Sequence, residues 1–126
     1  MARKALVVDD SMLIRHTVCR FLEKRGFEVQ SATNGVEALE VLQSLQPDLI
    51  ITDMQMPHMS GSELISALKA KEETATIPIV ILAGRMSGFD HKESRANYAI
   101  FKDIDIDAQL QLAVAAALGE PVSNFS

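Results

Sequence analysis

Three aspartates and one lysine lie at the ends of apolar runs, where their side chains could meet. Asp9 and Asp10 follow the first apolar run of the chain, Asp53 ends a second, and Lys102 ends a later one. Two like charges about 4 Å apart repel by several kcal/mol at an intermediate dielectric, so carboxylates gathered in this way need a cation between them. Hard oxygen ligands favour Mg²⁺, and Mg²⁺ favours phosphoryl chemistry, in which the lysine would hold a phosphoryl oxygen.

Each of the four residues also has an ordinary explanation. A carboxylate after a strand commonly caps the next helix, and Asp10 followed by Ser11 could do only that. Asp53 could be a turn residue, and a lysine at the end of a strand often only reaches solvent. The functional interpretation therefore depends on the coincidence of all four at predicted strand ends.

Short apolar runs alternate with longer amphipathic stretches, which predicts five βα units. Strands are predicted at 5–8, 27–32, 49–53, 79–82 and 99–102. Helices are predicted at about 11–25, 35–45, 64–71 and 107–118, with a short or irregular fourth helix within 84–97. Strands that are apolar throughout are buried on both faces, as in parallel sheets covered by helices. The predicted fold class is α/β, with an open doubly wound sheet that binds ligands beyond the carboxyl ends of its strands.

Local signals add detail to these elements. Asn34 is expected to cap the second helix and Asp107 the last one. The inner face of the second helix is predicted to contain Val36, Leu39 and Leu42. The three methionines in the loop at 54–61 are interpreted as packing residues rather than as a ligand-binding stripe.

The composition argues against several classes of protein. The 126 residues fit one domain, and 48% of them are hydrophobic, which is enough for a core. The only cysteine, Cys19, allows neither an intramolecular disulfide nor a cysteine-based zinc site, and is expected to pack in the core. A net charge of −5 without a basic run argues against direct nucleic-acid binding. The first apolar run is too short for a signal peptide or a membrane span, so a cytoplasmic protein is expected.

The sequence resembles the receiver domains of two-component response regulators over essentially its whole length. The resemblance is carried by the acid pair in 6–11, by 48–61 with its D-x-x-M-P-x-M-x-G pattern, by 78–82 and by Lys102. It implies a flavodoxin-like (βα)5 fold with strand order 2-1-3-4-5.

The resemblance also implies residue roles. Asp53 would be the nucleophile that takes a phosphoryl group from a histidine kinase or a histidine phosphotransfer protein, and the domain would catalyse its own phosphotransfer and dephosphorylation. Mg²⁺ would be held by Asp9, Asp10, Asp53 and the backbone carbonyl of Gln55. The phosphoryl group would be contacted by Lys102 and by the backbone N–H groups of Gln55 and Gly84. An ionised aspartate needs no partner base for such an attack.

Two positions that couple phosphorylation to output in the family are altered. The usual threonine or serine after the fourth strand is Ala83, and the usual aromatic residue before the lysine aligns with Ala99. Tyr98 is adjacent, but neighbouring residues of a strand point to opposite faces. Tyr98 would recover the role only through a bulge or a shift in register.

The residue after the lysine is altered too. The family has a proline there, in a cis peptide bond, whereas Asp103 follows Lys102 in this chain. A cis bond before a non-proline residue costs about 2.5–4 kcal/mol, so a trans bond is expected. The acid pocket therefore resembles the family, while the region from the fourth strand to the last helix does not.

Two main functional hypotheses remain open at this point. The first is a signalling phosphoacceptor that does not use the usual threonine–aromatic switch. The second is a phosphorylation-independent interaction module with a vestigial pocket. A flavin or nucleotide enzyme is disfavoured because no Gly-rich turn follows the first strand.

The limits and the assembly of the domain are also expectations. The receiver domain is expected to span 1–119, and 120–126 to form a flexible tail or the start of a linker. The last helix has more small apolar surface than one buried face needs, which is compatible with a homodimer and equally with ordinary packing.

Overall fold

Five parallel strands form a sheet with the order β2-β1-β3-β4-β5. The computed structural model describes residues 3–83, 96, 98–102 and 105–119. The strands are β1 (Lys4–Val8), β2 (Glu28–Ala32), β3 (Leu49–Asp53), β4 (Ile79–Ala83) and β5 (Tyr98–Phe101). This arrangement confirms the flavodoxin-like sheet and its strand order.

The described residues contain five helices. They are α1 (Met12–Glu23), α2 (Gly35–Val41), α3 (Gly61–Lys69), α4 (Glu72–Ala75) and α5 (Ile106–Leu118). The one-turn helix α4 precedes β4 and was not predicted. The short or irregular helix expected within 84–97 falls almost entirely outside the described residues. Within the described ranges, no helix has the length and apolarity needed to cross a membrane.

Alternation along the strands divides the hydrophobic core into two clusters, one on each face of the sheet. Ala5 and Val7 of β1 lie in the cluster beneath α1 and α5. Leu6 and Val8 lie in the cluster beneath α2 and α3. Full burial of a large aliphatic side chain contributes about 1.5–3 kcal/mol, so strands buried on both faces hold their carboxyl ends firmly in place.

Side-chain caps fix where the helices begin beside the strand ends. Asn34 accepts a hydrogen bond from Glu37 N at 2.9 Å, which confirms its predicted capping role. The prediction that Asp107 caps the last helix is wrong, because Asp105 accepts the bond from Ala108 N at 3.3 Å. Ile106 packs against the core, and this contact brings the residues after Asp105 into the helix.

The predicted inner face of α2 is wrong at one position. Val36 is 46% exposed, whereas Ala38 is fully buried. Leu39 and Leu42 pack against the cluster beneath α2 and α3, as predicted. The buried line along α2 begins at Gly35, where an added Cβ would lie 2.6 Å from the sulfur of Met59. That close approach rotates Val36 away from the sheet.

Candidate functional site

The carboxyl ends of three strands bring Asp9, Asp53 and Lys102 together. Asp9 directly follows β1, Asp53 is the last residue of β3, and Lys102 directly follows β5. β1 and β3 are neighbours, so their terminal carboxylates lie side by side. β4 separates β3 from β5, and the lysine side chain therefore reaches across the end of β4.

Lys102 contacts both buried carboxylates. Its Nζ atom lies 2.8 Å from Asp9 Oδ2 and 3.0 Å from Asp53 Oδ2. The lysine side chain is 20% exposed, whereas those of Asp9 and Asp53 are 0% and 6% exposed. Charge interactions between side chains that are this deeply buried are much stronger than at a surface.

The backbone around Asp9 fixes the orientation of its carboxylate. Asp9 Oδ1 accepts a hydrogen bond from Ser11 N at 2.8 Å. Arg15 donates from Nη1 to the carbonyl oxygen of Asp9 at 2.8 Å, a contact that the sequence analysis missed. Arg15 thus reaches back from α1 to the start of the loop that carries the acid pair.

Asp53 is held by the loop that follows it. Its Oδ1 atom accepts from Gln55 N at 3.4 Å, and Met54 N donates to Leu82 O at 3.3 Å. A Cβ on Gly61 would clash with the carbonyl oxygen of Asp53 and lie 2.8 Å from Met54 Cα. Glycine at 61 therefore lets the end of this loop pass directly over the backbone of Asp53.

The three methionines of the same loop pack as predicted. Met54, Met56 and Met59 are partly buried against the cluster beneath α2 and α3. The loop contains one strained residue, His58, whose side chain is exposed and whose φ is 71°. A positive φ is uncommon for a residue other than glycine.

The electrostatics of the pocket favour a further cation. Burial raises the pKa of Asp53, and the charge of Asp9 raises it further, while Lys102 opposes both effects. Burial alone would lower the pKa of Lys102, but its contacts with Asp9 and Asp53 outweigh burial, and the net direction is upward. The lysine thus stays charged without neutralising the carboxylates completely.

The carboxylate cluster fits a divalent cation. Asp9, Asp10 and Asp53 each offer one oxygen, and these oxygens lie within 4.8 Å of one another. Asp9 Oδ2 is buried and has no well-angled hydrogen-bond donor among the described residues, despite its short contact with Lys102. Three oxygens at such spacing, one with unmet acceptor capacity, suit a small hard cation such as Mg²⁺.

The remaining predicted site residues that the structure describes are Gln55 in the loop after β3 and the residues at the altered switch positions. Gln55 is exposed, and its N–H points to Asp53. Ala83 is buried at the end of β4, in the cluster beneath α2 and α3, and Ala99 is partly buried against that cluster. Gly84 and Asp103, and with them the isomer of the bond after Lys102, lie outside the described residues.

Tyr98 does not lie beside Ala83. The register pairs Tyr98 with Val80, Ala99 with Ile81 and Phe101 with Ala83 without a bulge. By strand alternation Tyr98 points to the face opposite Ala83, and it is 38% exposed. Phe101 is the aromatic residue on the same face as Ala83, and it packs partly buried there.

Comparisons with known proteins give a consistent picture. The family model described as "Response regulator receiver domain" matches residues 5–114. Sporulation initiation phosphotransferase F of Bacillus subtilis (strain 168) is 32% identical over 108 residues, which cover 85% of this chain and 87% of that protein. The phosphate regulon transcriptional regulatory protein PhoB of Escherichia coli (strain K12) is 41% identical over 85 residues, which cover 68% of this chain but 37% of that protein.

Solved structures show the same fold. The chemotaxis response regulator CheY4 of Vibrio cholerae matches with a TM-score of 0.80 at 30% identity, over 92% of this chain and 99% of that one. The receiver domain of a sensor histidine kinase from Pseudomonas aeruginosa PAO1, with a magnesium ion in its active site cleft, matches with a TM-score of 0.83. Its identity is 20%, over 95% of this chain and 100% of that one, so this likeness shows the fold alone.

Proposed function

The chain belongs to the family of response regulator receiver domains, and from that premise we propose that Asp53 accepts a phosphoryl group from a histidine kinase or a histidine phosphotransfer protein. The observation that carries the proposal is the position of Lys102 Nζ, which lies 3.0 Å from Asp53 Oδ2 in a largely buried pocket. A cation at this place can follow the charge when it moves from the carboxylate to a phosphoryl group.

The proposed step is a phosphoryl transfer between two side chains. A carboxylate oxygen of Asp53 attacks phosphorus, the bond between phosphorus and the donor imidazole nitrogen breaks, and an acyl phosphate forms. The electron pair of the broken bond stays on the imidazole, which takes up a proton from solvent. No base is needed on this chain, because Asp53 reacts as its ionised form.

The residues around Asp53 would contribute mainly position and charge. Lys102 would hold one phosphoryl oxygen, and Gln55 N–H, which now donates to Asp53 Oδ1, would turn to another. Mg²⁺, when bound by the three aspartates and the Gln55 carbonyl, would neutralise charge on the phosphoryl oxygens. Positioning and charge neutralisation are what this class of reaction chiefly requires.

The response to phosphorylation is proposed to bypass the usual hydroxyl–aromatic coupling. Ala83 offers a buried methyl group where a hydroxyl would be needed, and Ala99 offers no ring. Tyr98 faces the other side of the sheet. We therefore expect phosphorylation to change dimerisation, without direct nucleic-acid binding by this chain.

One observation favours a second candidate function. Lys102 already contacts two carboxylates, which partly neutralises the pocket without any metal. A domain that had lost phosphorylation could keep such an ion cluster for stability alone. In that case the chain would be a phosphorylation-independent protein-interaction module.

Intact-mass spectrometry tests between these two functions. The protein is incubated with acetyl phosphate and Mg²⁺, beside Asp53→Asn and the matched control Asp48→Asn, whose carboxylate accepts from Lys4 N at the amino-terminal end of the sheet. The phosphoacceptor function predicts one added phosphoryl group in the wild type and the control, and none in Asp53→Asn or without Mg²⁺. Absence of both phosphorylation and Mg²⁺ binding at millimolar concentration would establish the interaction module instead.

A further inference from the structure

The side chain of Gln109 binds the backbone of the residue that precedes Lys102. Phe101 N donates to Gln109 Oε1 at 2.9 Å, and Gln109 Nε2 donates to Phe101 O at 2.7 Å. One carboxamide therefore satisfies both backbone groups of a single residue. Two hydrogen bonds in opposite directions also fix the backbone of Phe101 on both sides of its Cα atom, which a single bond would not do.

These bonds fall at the edge of the sheet. β5 pairs only with β4 among the described strands, so its outer backbone groups have no strand partner. Lys102 N donates toward the sheet, to Ala83 O at 2.9 Å, and by alternation the groups of Phe101 point outward. Gln109 thus supplies at this edge the pair of bonds that a sixth strand would have made.

Gln109 stands on a firmly anchored helix. Its own N–H donates to Asp105 O, the carbonyl of the residue that caps α5. The next residue, Leu110, is completely buried, and so is Ala113 one turn later. The carboxamide is therefore fixed relative to the core and transmits that position to the end of β5.

The position of Phe101 determines where the lysine side chain begins. The peptide group that joins Phe101 to Lys102 is held at both ends, because its N–H donates to Ala83 O and its carbonyl accepts from Gln109 Nε2. The following residue is Asp103, so no proline ring restricts the chain beyond the lysine. Nζ reaches Asp9 and Asp53 from beyond the end of β5, across the end of β4, so a shift of the lysine backbone would move Nζ away from both carboxylates.

We propose that Gln109 is a positioning residue for Lys102, holding its backbone so that Nζ reaches the phosphoacceptor pocket. The proposal rests on the proposed function, because the aligned lysine matters for catalysis only if Asp53 is phosphorylated. Its structural content, that the carboxamide aligns the lysine, does not need phosphorylation and is measured separately.

The test compares four single variants and one double variant of the chain. Gln109→Leu removes both hydrogen bonds to Phe101, together with the longer contact of Nε2 with Asp105 O at 3.5 Å, at similar side-chain volume. Gln109→Glu has the same side-chain shape and keeps the acceptor but loses the donor. Gln111→Leu makes the same replacement two residues further along α5 and controls for helix propensity. Lys102→Met identifies the lysine signal and supplies the background for a double variant.

The first readout is the ammonium ¹H–¹⁵N signal of Lys102 in NMR spectra. An ion-paired, mostly buried ammonium exchanges slowly enough to be seen near neutral pH, unlike exposed lysines. The signal is expected in the wild type and in Gln111→Leu, weakened in Gln109→Glu and lost in Gln109→Leu. Retention of the wild-type signal in Gln109→Leu would overturn the proposal, whatever the phosphorylation assay shows.

The second readout is the rate of phosphorylation by acetyl phosphate, with Mg²⁺ affinity measured beside it. Gln109→Leu is expected to slow phosphorylation by roughly tenfold, within the range that small misplacements of catalytic groups cause, and to change Mg²⁺ affinity by less than about twofold. In the Lys102→Met background the same change should have no further effect, because coupled residues are not additive. An additive loss, or an equal loss of Mg²⁺ affinity, would show a merely structural role and contradict the proposal.

The two failures can be distinguished. A wild type that shows the lysine signal and loses it in Gln109→Leu, but takes up no phosphoryl group, supports the positioning role and contradicts the proposed function. Equal phosphorylation rates in the wild type and in Gln109→Leu contradict the positioning role and leave the proposed function intact.

Discussion

Lys102 Nζ lies 3.0 Å from Asp53 Oδ2, although Asp53 ends β3 and Lys102 follows β5, two strands that do not pair. The contact crosses the end of β4, where the last residue is a buried alanine. Such a pair can hold a nucleophile in place and afterwards hold the product of its reaction.

Lys102→Met is expected to lower both activity and stability. The two carboxylates would lose their shared cation, and removal of one partner from a buried ion cluster costs several kcal/mol. Because the lysine side chain is 20% exposed, we expect a loss of about 2 kcal/mol in the free energy of unfolding at neutral pH, measured with urea. Millimolar Mg²⁺ should recover more of this free energy in the variant than it adds to the wild type. Equal effects of Mg²⁺ on both proteins would contradict a shared role of metal and lysine.

Asp53→Asn is expected to stabilise the metal-free protein at neutral pH. The raised pKa of Asp53 means that the folded state disfavours its ionised form relative to the unfolded state, mainly because of burial. Between the ordinary pKa of 3.8 and the raised pKa of the native state, the native protein holds more protons than the unfolded chain, so this residue's contribution to stability falls as the pH rises through that window. The advantage of asparagine should be largest at neutral pH and shrink as the pH falls toward that value. Urea titrations of both proteins at a series of pH values measure it, and an advantage that grows with acidity would refute the prediction.

Gly61→Ala is expected to impair phosphorylation beyond its effect on stability. The new methyl group would push against the carbonyl oxygen of Asp53 and against Met54, and overpacking of this kind costs about 1–3 kcal/mol. The matched control is Gly119→Ala, where φ is 68° and nothing lies within 4 Å of the added carbon. That change should cost about 1–2 kcal/mol through backbone strain alone. Equal phosphorylation rates in the two variants would show that the Gly61 contact does not position Asp53.

His58→Gly is expected to stabilise the protein slightly. His58 has a φ of 71°, which glycine adopts without the strain that a Cβ causes. Relief of about 1–2 kcal/mol is partly offset by the greater freedom of glycine in the unfolded chain, so a net gain of about 0.5–1 kcal/mol is expected. Chemical denaturation measures this difference, and His58→Ala serves as the control because alanine keeps the strain. A gain as large with alanine would assign the effect to the imidazole rather than to the backbone.

The sequence was sufficient to predict the sheet and the meeting of Asp9, Asp53 and Lys102. Short runs that are apolar throughout indicate parallel strands, and parallel strands bring their carboxyl ends to one edge of the sheet. The charged residues that end these runs are therefore expected to meet at that edge. The expectation that Tyr98 and Ala99 point to opposite faces of the sheet followed from strand alternation alone, and the register without a bulge agrees with it. These features depend on local periodicity, which a single sequence displays directly.

The missed features depend on how helices are rotated against the sheet. Gln109 is a polar residue on a largely apolar helix, and nothing in its sequence neighbours distinguishes a side chain that binds the backbone of Phe101 from a solvated one. Arg15 likewise resembles an exposed basic residue, yet it binds the carbonyl of Asp9. Val36 was placed on the wrong face because the contact between Gly35 and Met59 joins segments that are distant in sequence.

The most direct test of the central claim identifies the residue that carries the phosphoryl group. The protein is phosphorylated with acetyl phosphate and Mg²⁺, reduced with borohydride, which converts an aspartyl phosphate to homoserine, and digested for peptide mass spectrometry. We predict homoserine at position 53 and nowhere else, with no conversion when Mg²⁺ is omitted. Unmodified Asp53 beside a phosphoryl group on any other residue, or conversion that does not depend on Mg²⁺, would contradict the account.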